Sequence, residues 1–507
     1  MKALNVGLYS SLGMLVVGGL VFAVTPAGGF NATPEKSAEN TRDESDASDE
    51  RTGDATVEAK GAEGATFSVA GTLKLEGRLG HASLKAASPE ETFMLLEVSG
   101  TDAGKGAAPP VALSLVIDRS GSMKGTRHQN ALQAAAGAIE RLHDGDTVSV
   151  VAFDTRTETI VPSTTINAST RQNILASVRA IQLGGDTCIS CGIEGGLAEL
   201  AKASGSNGSI VKRMIVLSDG DTNNGIRDVP GFRSLAQRSM GQGVNITTIG
   251  VDLEFNEKIM SAIAQASNGR HYFVENDRDL ARVFDAEAAS LTESVANDAV
   301  AEIELAQGVE VVRVFDRTFT RSGSRISVPL GSVAKGETKT VLVKVRLPKS
   351  DKGSLSVASA KLAYRDLVEN KDSSQSGKLA VELVDDSGQV SPFDSVVLDR
   401  VQRSETGAAL REANSLFSVG KADEARKRLE QQQRAVNAAR PAAAKTAPSG
   451  RAKDVDESLA KQEAELNRAI DNFKASPSEP GASPAPPAPA QKSQVKRSVE
   501  QADALAN

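Results

Sequence analysis

An uncharged apolar segment that ends in an aspartate constrains the fold of this chain most strongly. Residues 111–117 read Val-Ala-Leu-Ser-Leu-Val-Ile, and Asp118 follows them directly. Uncharged runs of this length, rich in β-branched residues, are typical of strands buried on both faces of a parallel sheet. Ser120 and Ser122 come next, before a helical pattern over 127–142. Because ligands of open parallel sheets bind at the carboxyl ends of strands, these oxygen-bearing side chains lie where a site is expected.

Two further pieces of the chain supply similar oxygen atoms. A second apolar segment, 211–218, ends in Asp219, and a Gly-Gly-Asp turn between the two segments ends in Thr187. Carboxylate and hydroxyl oxygens are hard ligands that suit Mg²⁺ rather than zinc, with Ca²⁺ or Mn²⁺ as alternative ions. The sequence therefore predicts a magnesium site formed by Asp118, Ser120, Ser122, Thr187 and Asp219.

These residues resemble the metal ion-dependent adhesion site of the von Willebrand factor type A domain, which combines a D-x-S-x-S motif with a distant Thr and a distant Asp. The resemblance covers about residues 110–295. It implies that the three hydroxyls bind the ion, that the two aspartates bind it directly or through water, and that an acidic group of a protein partner completes the coordination. Asp186, beside Thr187, departs from the pattern and would add negative charge at the rim or compete as a ligand. Asp221 is a second rim residue.

Other interpretations of the same residues account for fewer of them. Either aspartate alone would be read as a helix N-cap, but capping explains only some of the five positions. Haloacid-dehalogenase-like phosphatases need a second Asp two residues after the first, where this chain has Ser120. The segment 219–230 is unlike a functional EF-hand loop, because Asn224 replaces the glycine of its sixth position and Pro230 the glutamate of its twelfth. We interpret this segment as a surface loop beside the main site.

The only two cysteines, Cys188 and Cys191, form a C-x-x-C motif directly after Thr187, at the start of a helix predicted over 190–202. Three interpretations stay open: a disulfide that fixes the loop carrying Thr187, a redox-active pair of thioredoxin type, and half of a zinc site. Zinc needs two more ligands nearby, and none is evident. An oxidising compartment favours the disulfide, while the helix N-terminus, which lowers the pKa of a thiol, keeps the redox interpretation open.

The N-terminal part of the sequence indicates export from the cytoplasm. Residues 6–24 are apolar, about the minimum length for a membrane span and long for the core of a secretory signal. We predict a signal peptide or signal anchor over 1–30, and hence an extracytoplasmic protein that is anchored in the membrane by this segment or is secreted or periplasmic. An acidic disordered linker is predicted over 31–65, because 35–63 holds ten acidic and four basic residues. This segment accounts for most of the net charge of −7, so the remainder is nearly neutral and does not indicate a nucleic-acid partner.

Alternating strand and helix patterns predict a doubly wound, Rossmann-like α/β domain over 109–296. Its predicted strands include 147–153, 214–217 and 245–251, and its predicted helices are 127–142, 171–180, 190–202, 231–242, 257–266 and 277–295. Segments with alternating apolar residues lie on both sides of it, at 66–108 and 297–388, and are typical of an antiparallel β-sandwich. We predict that the α/β domain is inserted in this sandwich or flanked by it, a layout that resembles bacterial envelope proteins of the von Willebrand type A class. Two unconnected β units are the alternative.

The C-terminal part is predicted to be helical over 393–475. Residues 408–425 are typical of one tetratricopeptide-like helix pair, and a second helix over 455–473 could pack on it, although such repeats usually need neighbours to stack. A Pro/Ala-rich disordered tail is predicted over 476–507, with a short helix as the alternative for its last seventeen residues.

No catalytic motif accompanies the predicted metal site. The four histidines are scattered, and the sequence has no Gly-rich phosphate loop, H-E-x-x-H or G-x-S-x-G pattern. We therefore predict a non-enzymatic, Mg²⁺-dependent protein-binding, adhesion or scaffolding protein of the cell envelope that captures a carboxylate of its partner. The alternative is an accessory subunit of an envelope assembly or of a chloride-channel-like, chelatase-like or chaperone-like complex. Metal-dependent hydrolysis would require a general base that the sequence does not offer.

Overall fold

The structure is a computed structural model that describes residues 57–58, 64–87, 90–102, 109–203, 210–474 and 489–506. The predicted signal peptide or anchor over 1–30 lies outside the described residues, as does the predicted linker over 31–65 except for 57–58 and 64–65. Among the helices of the described stretches, none combines the length and the apolarity needed to cross a lipid bilayer.

The chain first forms strands of a β-sandwich. These strands are β1 (Val57–Glu58), β2 (Thr66–Val69), β3 (Leu73–Leu79), β4 (Ser83–Lys85) and β5 (Glu91–Gly100). Buried and partly exposed residues alternate along β3, as expected for a strand with one face on a core. β1 lies within the segment for which the sequence predicts disorder. That prediction is wrong for these two residues, because they pair in parallel with a distant strand that local composition does not reveal.

The α/β domain follows, built on a six-stranded sheet. Its strands are β6 (Val111–Asp118), β7 (Thr147–Phe153), β8 (Thr157–Thr165), β9 (Val211–Ser218), β10 (Val244–Val251) and β11 (His271–Val274). They lie in the order β11-β10-β9-β6-β7-β8, and all neighbours are parallel except the pair β7 and β8. The edge strand β8 is absent from the sequence prediction because most of its residues are exposed, so it carries no run of apolar residues.

Six helices cover the two faces of this sheet. They are α1 (Thr126–Arg141), α2 (Ala168–Arg179), α3 (Ile189–Lys202), α4 (Val229–Met240), α5 (Glu257–Ala266) and α6 (Leu280–Thr292). Leu113 and Leu115 of β6 pack with α1, α2 and α6 on one face, whereas Ala112 and Val116 pack with α3, α4 and α5 on the other. The doubly wound α/β fold predicted from the sequence is thus confirmed. The last predicted helix ends earlier than expected, because the chain already enters the next strand at Ser294.

The chain then returns to the β-sandwich. The returning strands are β12 (Ser294–Leu305), β13 (Glu310–Phe315), β14 (Thr320–Ser322), β15 (Arg325–Ala334), β16 (Thr338–Arg346), β17 (Gly353–Asp366) and β18 (Lys371–Val384). One sheet has the order β13-β16-β5-β3-β2, and the other has the order β1-β18-β17-β12-β15-β14 with β4 on β18. Because β5 lies between β3 and β16, the early and late strands form one sandwich, and the α/β domain is inserted in it.

The C-terminal region is a bundle of long helices. These helices are α7 (Ser395–Ser418), α8 (Ala422–Thr446), α9 (Ala452–Lys474) and α10 (Pro489–Ala506). α7 and α8 meet at Gly420, whose φ of +80° suits a glycine at the helix end, but they are 24 and 25 residues long. Both helices of a tetratricopeptide unit fit in about 34 residues, so that comparison is wrong. Of the two predictions for the C-terminal tail, the short helix over its last seventeen residues is the one that forms, as α10, whose side chains are buried against α5 and α7. The disordered tail predicted over 476–507 is wrong for these residues, and residues 475–488 lie outside the described part.

Candidate metal centre

The ends of two neighbouring strands bring the predicted aspartates to one edge of the sheet. β6 and β9 pair in parallel with Ile117 level with Leu217, so Asp118 and Asp219 both leave the sheet on the same side. A 3₁₀ turn over Gly121–Met123 follows β6 and carries Ser122 to this edge. The parallel register therefore gathers residues about a hundred positions apart in the sequence.

Asp118 is fully buried at the base of the site. Its Oδ1 accepts a hydrogen bond from the backbone N–H of Ser120 at 2.8 Å, and its Oδ2 accepts one from the hydroxyl of Ser218 at 2.5 Å. Burial raises the pKa of this carboxyl to about 6, although the hydrogen bonds act against the rise. A cation beside it would stabilise the charged form.

The two serines link Asp118 to Asp219. The hydroxyl oxygens of Ser120 and Ser122 are 3.0 Å apart, and the hydroxyl of Ser122 donates to Oδ1 of Asp219 at 2.6 Å. Asp219 is itself fully buried. The D-x-S-x-S motif and the second aspartate thus form one continuous set of oxygen atoms.

Thr187 approaches this set from the loop before α3. A Cβ atom added to Gly220 would lie 3.3 Å from Oγ1 of Thr187 and 3.4 Å from Oγ of Ser122, so both hydroxyls face the small space beside this glycine. Glycine keeps that space free of side-chain atoms. The structure brings together all five residues that the sequence predicts as ligands.

The residues present fit a hard divalent cation. The set contains two carboxylates and three hydroxyls, which are the oxygen ligands that Mg²⁺ and similar ions prefer. Within the described stretches, no group of three or more His, Cys, Asp or Glu side chains is arranged to hold a metal, so the hydroxyls are the distinctive donors of this centre.

An arginine that the sequence reasoning missed borders the centre. Nη1 of Arg127 lies 2.7 Å from Oδ2 of Asp219 and donates to the carbonyl oxygen of Ser122, while its Nη2 lies 2.7 Å from Oδ2 of Asp252. Asp252 directly follows β10, so the signal that marked Asp118 and Asp219, an acid after a buried strand, could have found it. Arg127 has no such signal, because its pairing depends on how α1 lies over the sheet.

The two predicted rim residues differ in their surroundings. Asp186 is exposed, and its backbone N–H donates to the Thr155 hydroxyl at 2.9 Å. Asp221 accepts a hydrogen bond from the side-chain amide of Asn256 at 3.0 Å. The loop after Asp219 packs beside the centre, because the side-chain oxygen of Asn223 accepts from the backbone N–H of Thr187 at 2.9 Å.

Cys188 and Cys191 form a disulfide next to Thr187. Cys188 is the buried N-cap residue of α3, and its backbone N–H donates to the carbonyl oxygen of Asp154 at 3.0 Å. Gly225 adopts a φ of +70° and packs so tightly that an added Cβ would lie 2.7 Å from the Cys188 sulfur. The disulfide therefore ties the loop of Thr187 to the first turn of α3 and packs against Gly225 in the loop after Asp219.

Reduction of this disulfide is expected to weaken Mg²⁺ binding by about three- to thirtyfold. A bridge that closes so short a loop stabilises the folded protein by at most about 2 kcal/mol in the chain-entropy model. If all of this free energy serves to position Thr187, its loss corresponds to the upper figure of about thirtyfold. Calorimetry with and without a phosphine reductant measures the change. A Cys188→Ser/Cys191→Ser double variant is the control, since its affinity should not respond to the reductant. Equal affinity of the oxidised and reduced protein would contradict a role in positioning Thr187.

Comparisons with known proteins identify the domain that carries this centre. Residues 113–286 match the family model of the von Willebrand factor type A domain. The chain is 25% identical over 269 residues to the uncharacterized protein sll0103 of Synechocystis, covering 51% of this chain and 62% of that protein. It is 25% identical over 217 residues to the uncharacterized protein YfbK of Escherichia coli, covering 42% and 37%. The chain thus spans about half the length of these curated relatives.

A solved structure shares the fold over most of both chains. The von Willebrand factor type A protein from Catenulispora acidiphila superposes with a TM-score of 0.63 at 18% identity, covering 79% of this chain and 89% of that one. The family match includes all five residues of the candidate centre. The chain therefore contains a region, residues 113–286, that matches the von Willebrand factor type A domain, and this region is inserted in a β-sandwich that is followed by a helical bundle.

Proposed function

We propose that this protein is a non-enzymatic binding protein of the cell envelope that captures a carboxylate of a protein partner through Mg²⁺. The observation that carries the proposal is the convergence of two hydroxyls, from Ser122 and Thr187, on the space beside Gly220. Ser120, Asp118 and Asp219 lie around the same space. Five oxygen-bearing side chains from three distant segments are thus available as ligands for a hard cation.

The donor chemistry supports a carboxylate as the completing ligand. The set combines two carboxylates with three neutral hydroxyls, so its formal charge balances that of a divalent cation and leaves no excess negative charge to repel an acidic partner. Mg²⁺ prefers six oxygen ligands and keeps waters where the protein supplies fewer. An acidic side chain of a partner would replace one of these waters and bind the ion through a carboxylate oxygen.

The disulfide supports an extracytoplasmic location. Stable disulfides are rare in a reducing cytosol and common in the periplasm and outside the cell. This favours the envelope location that the predicted N-terminal signal implies, and cell fractionation against envelope markers checks it.

Replacing Thr187 with alanine tests whether the centre binds Mg²⁺. Loss of a supporting residue of a metal site typically costs 10- to 100-fold in affinity, and we expect the Mg²⁺ dissociation constant of Thr187→Ala to rise by at least about tenfold in calorimetry. Thr164→Ala is the matched control, because Thr164 is a partly exposed threonine on β8 whose hydroxyl donates to the Pro162 carbonyl oxygen. Its affinity should equal that of the wild type.

The second part of the test measures binding of the partner protein from an envelope fraction. Wild-type protein should retain its partner in Mg²⁺ and release it in EDTA, and Thr187→Ala should bind no better in Mg²⁺ than the wild type does in EDTA. Unchanged circular dichroism of the variant establishes that the fold is intact. Full partner binding in EDTA would refute the proposal.

A further inference from the structure

The last helix packs against the domain that carries the candidate metal centre. α10 contacts α5 and β11 of that domain and α7 of the bundle. Its buried side chains recur every three or four residues and so form one face; they include Ser493, Lys496, Val499, Ala502 and Asp503. At its C-terminal end, Arg400 of α7 donates to the carbonyl oxygen of Ala506 at 2.8 Å. α10 is therefore held from both sides.

Lys496 is the residue of α10 that makes the buried polar contacts with the loop after β10. Its side chain is only 5% exposed, and its ammonium donates to the carbonyl oxygen of Phe255, lies 3.0 Å from a carboxylate oxygen of Glu257 and lies 3.9 Å from the centre of the Phe255 ring. Lys492 also reaches this loop, through Glu254 at 3.0 Å, but this pair is far more accessible to solvent, with side chains that are 34% and 67% exposed. Exposed ion pairs contribute little, whereas buried ones are costly to break.

The loop after β10 that Lys496 contacts also borders the metal centre. It begins at Asp252, whose φ of +65° is uncommon for a residue with a side chain. Asp252 holds Nη2 of Arg127, and Nη1 of the same guanidinium lies 2.7 Å from Asp219. Further along the loop, the side-chain amide of Asn256 donates to Asp221. A segment of six residues, 252–257, thus connects Lys496 to the acids around the centre.

We propose that docked α10 is an autoinhibitory clasp: it fixes the segment 252–257 so that Asp252 keeps Arg127 on Asp219, and release of α10 tightens Mg²⁺ binding. This inference rests on the proposed function. A guanidinium 2.7 Å from Asp219 opposes a second cation at the same carboxylate, because both positive charges compete for one negative charge. When the clasp opens, Asp252 moves away from the centre with its segment, Arg127 follows it as its ion-pair partner, and Asp219 becomes available to the ion. By linkage, Mg²⁺ in turn weakens the docking of α10.

The test compares Lys496→Gln with Lys492→Gln in the full chain. Allosteric couplings of this kind typically change affinity by 5- to 150-fold, and we expect Lys496→Gln to lower the Mg²⁺ dissociation constant by at least about fivefold in calorimetry. Lys492→Gln removes the same charge from the exposed pair and should stay within about twofold of the wild type. In an Arg127→Gln background, Lys496→Gln should have no further effect, because the coupling would have lost its connecting residue.

Hydrogen exchange separates failure of the clasp from failure of the proposed function. Lys496→Gln should raise amide exchange in α10, in 252–257 and in 219–225. A Val499→Asp variant of the full chain, which places a charge in the buried face of α10, should give the same exchange and the same gain in affinity even if Lys496→Gln leaves α10 docked. Unchanged or weaker Mg²⁺ binding after release overturns the inference. If the wild type binds no Mg²⁺, the proposed function fails, and the clasp is then refuted by unchanged exchange at 219–225 after release.

Discussion

Replacing Glu287 with alanine is expected to lower the free energy of unfolding by about 3–5 kcal/mol. Removing one partner from a buried ion pair leaves the other charge uncompensated, which typically costs this much. Glu287 of α6 is fully buried, and its carboxylate lies between Arg213 at 3.1 Å and Arg270 at 3.4 Å. Urea unfolding monitored by circular dichroism measures the change.

The surroundings of Glu287 explain the size of this effect. Its two oxygens also accept hydrogen bonds from the hydroxyls of Thr247 at 2.7 Å and Tyr272 at 2.8 Å. Burial acts to raise the pKa of Glu287, but the two arginines and these hydrogen bonds outweigh it and hold the pKa below its ordinary value. The carboxylate therefore stays charged at neutral pH, and alanine would leave four donors without their acceptor.

The same network joins the α/β domain to the sandwich. Arg213 donates to the hydroxyl of Ser332 at 3.1 Å, and Arg270 lies 3.0 Å from Glu337, both across the boundary between the two regions. Loss of Glu287 should thus weaken the boundary as well as α6.

Two control variants sharpen this prediction. Glu287→Gln keeps an acceptor of similar shape and should cost less than alanine. Glu369→Ala removes the acid of an exposed pair with Lys371 and should change stability by no more than about 1 kcal/mol. Equal, small losses for Glu287→Ala and Glu369→Ala would contradict a structural role for the buried network.

The α/β domain and its site were predictable because local sequence patterns specify them. β6, β9 and β10 are buried along nearly their whole length, so continuous apolar runs mark them, and the acids that end them mark the site. Arg127 was not predictable in this way, because its two carboxylate partners come from different strands and meet it only in the folded domain. Pairings of this kind depend on tertiary arrangement and not on local pattern.

α10 was harder to predict for a different reason. Its buried face contains Ser493, Lys496 and Asp503, and Val499 is its only large apolar residue buried there. The hydrophobic periodicity that identifies α5 or α6 is consequently weak. Polar contacts with distant residues hold it instead, such as the ion pair of Asp503 with Arg411. Local sequence patterns do not reveal those partners, because they are distant in the sequence.

Acid is expected to destabilise the protein through His271, by about 1.4 kcal/mol for each pH unit below 6.5. Burial, together with the nearby ammonium of Lys496, lowers the pKa of His271 in β11 to about 3. In the unfolded chain the pKa is near 6.5, so between these values the unfolded state binds the extra proton and the folded state does not. Stability contributed by the neutral imidazole is therefore full above pH 6.5 and falls as the pH drops toward 3. By pH 4.5 the loss should reach about 3 kcal/mol.

The hydrogen bonds of His271 identify the proton that causes this loss. The Thr248 hydroxyl donates to the carbonyl oxygen of Met260 at 2.9 Å, so it accepts from Nδ1–H of His271 at 3.0 Å. Nε2 is buried and has no hydrogen-bond partner among the described residues. A second proton would have to be placed on Nε2, away from water and close to Lys496. Acid should thus open the contact between β11 and α10 first.

His271→Asn isolates this contribution from that of the carboxylates. The asparagine amide replaces the Nδ1–H donor to Thr248 but does not titrate, so its stability should fall less steeply with acid, by about 1.4 kcal/mol per pH unit between pH 6 and 4. His143→Asn is the control for a histidine outside this contact, because the His143 side chain is 63% exposed. Urea unfolding at a series of pH values gives the three slopes. Parallel slopes for the wild type and His271→Asn would show that His271 takes up its proton without unfolding, and the inferred burial of its neutral form would then be wrong.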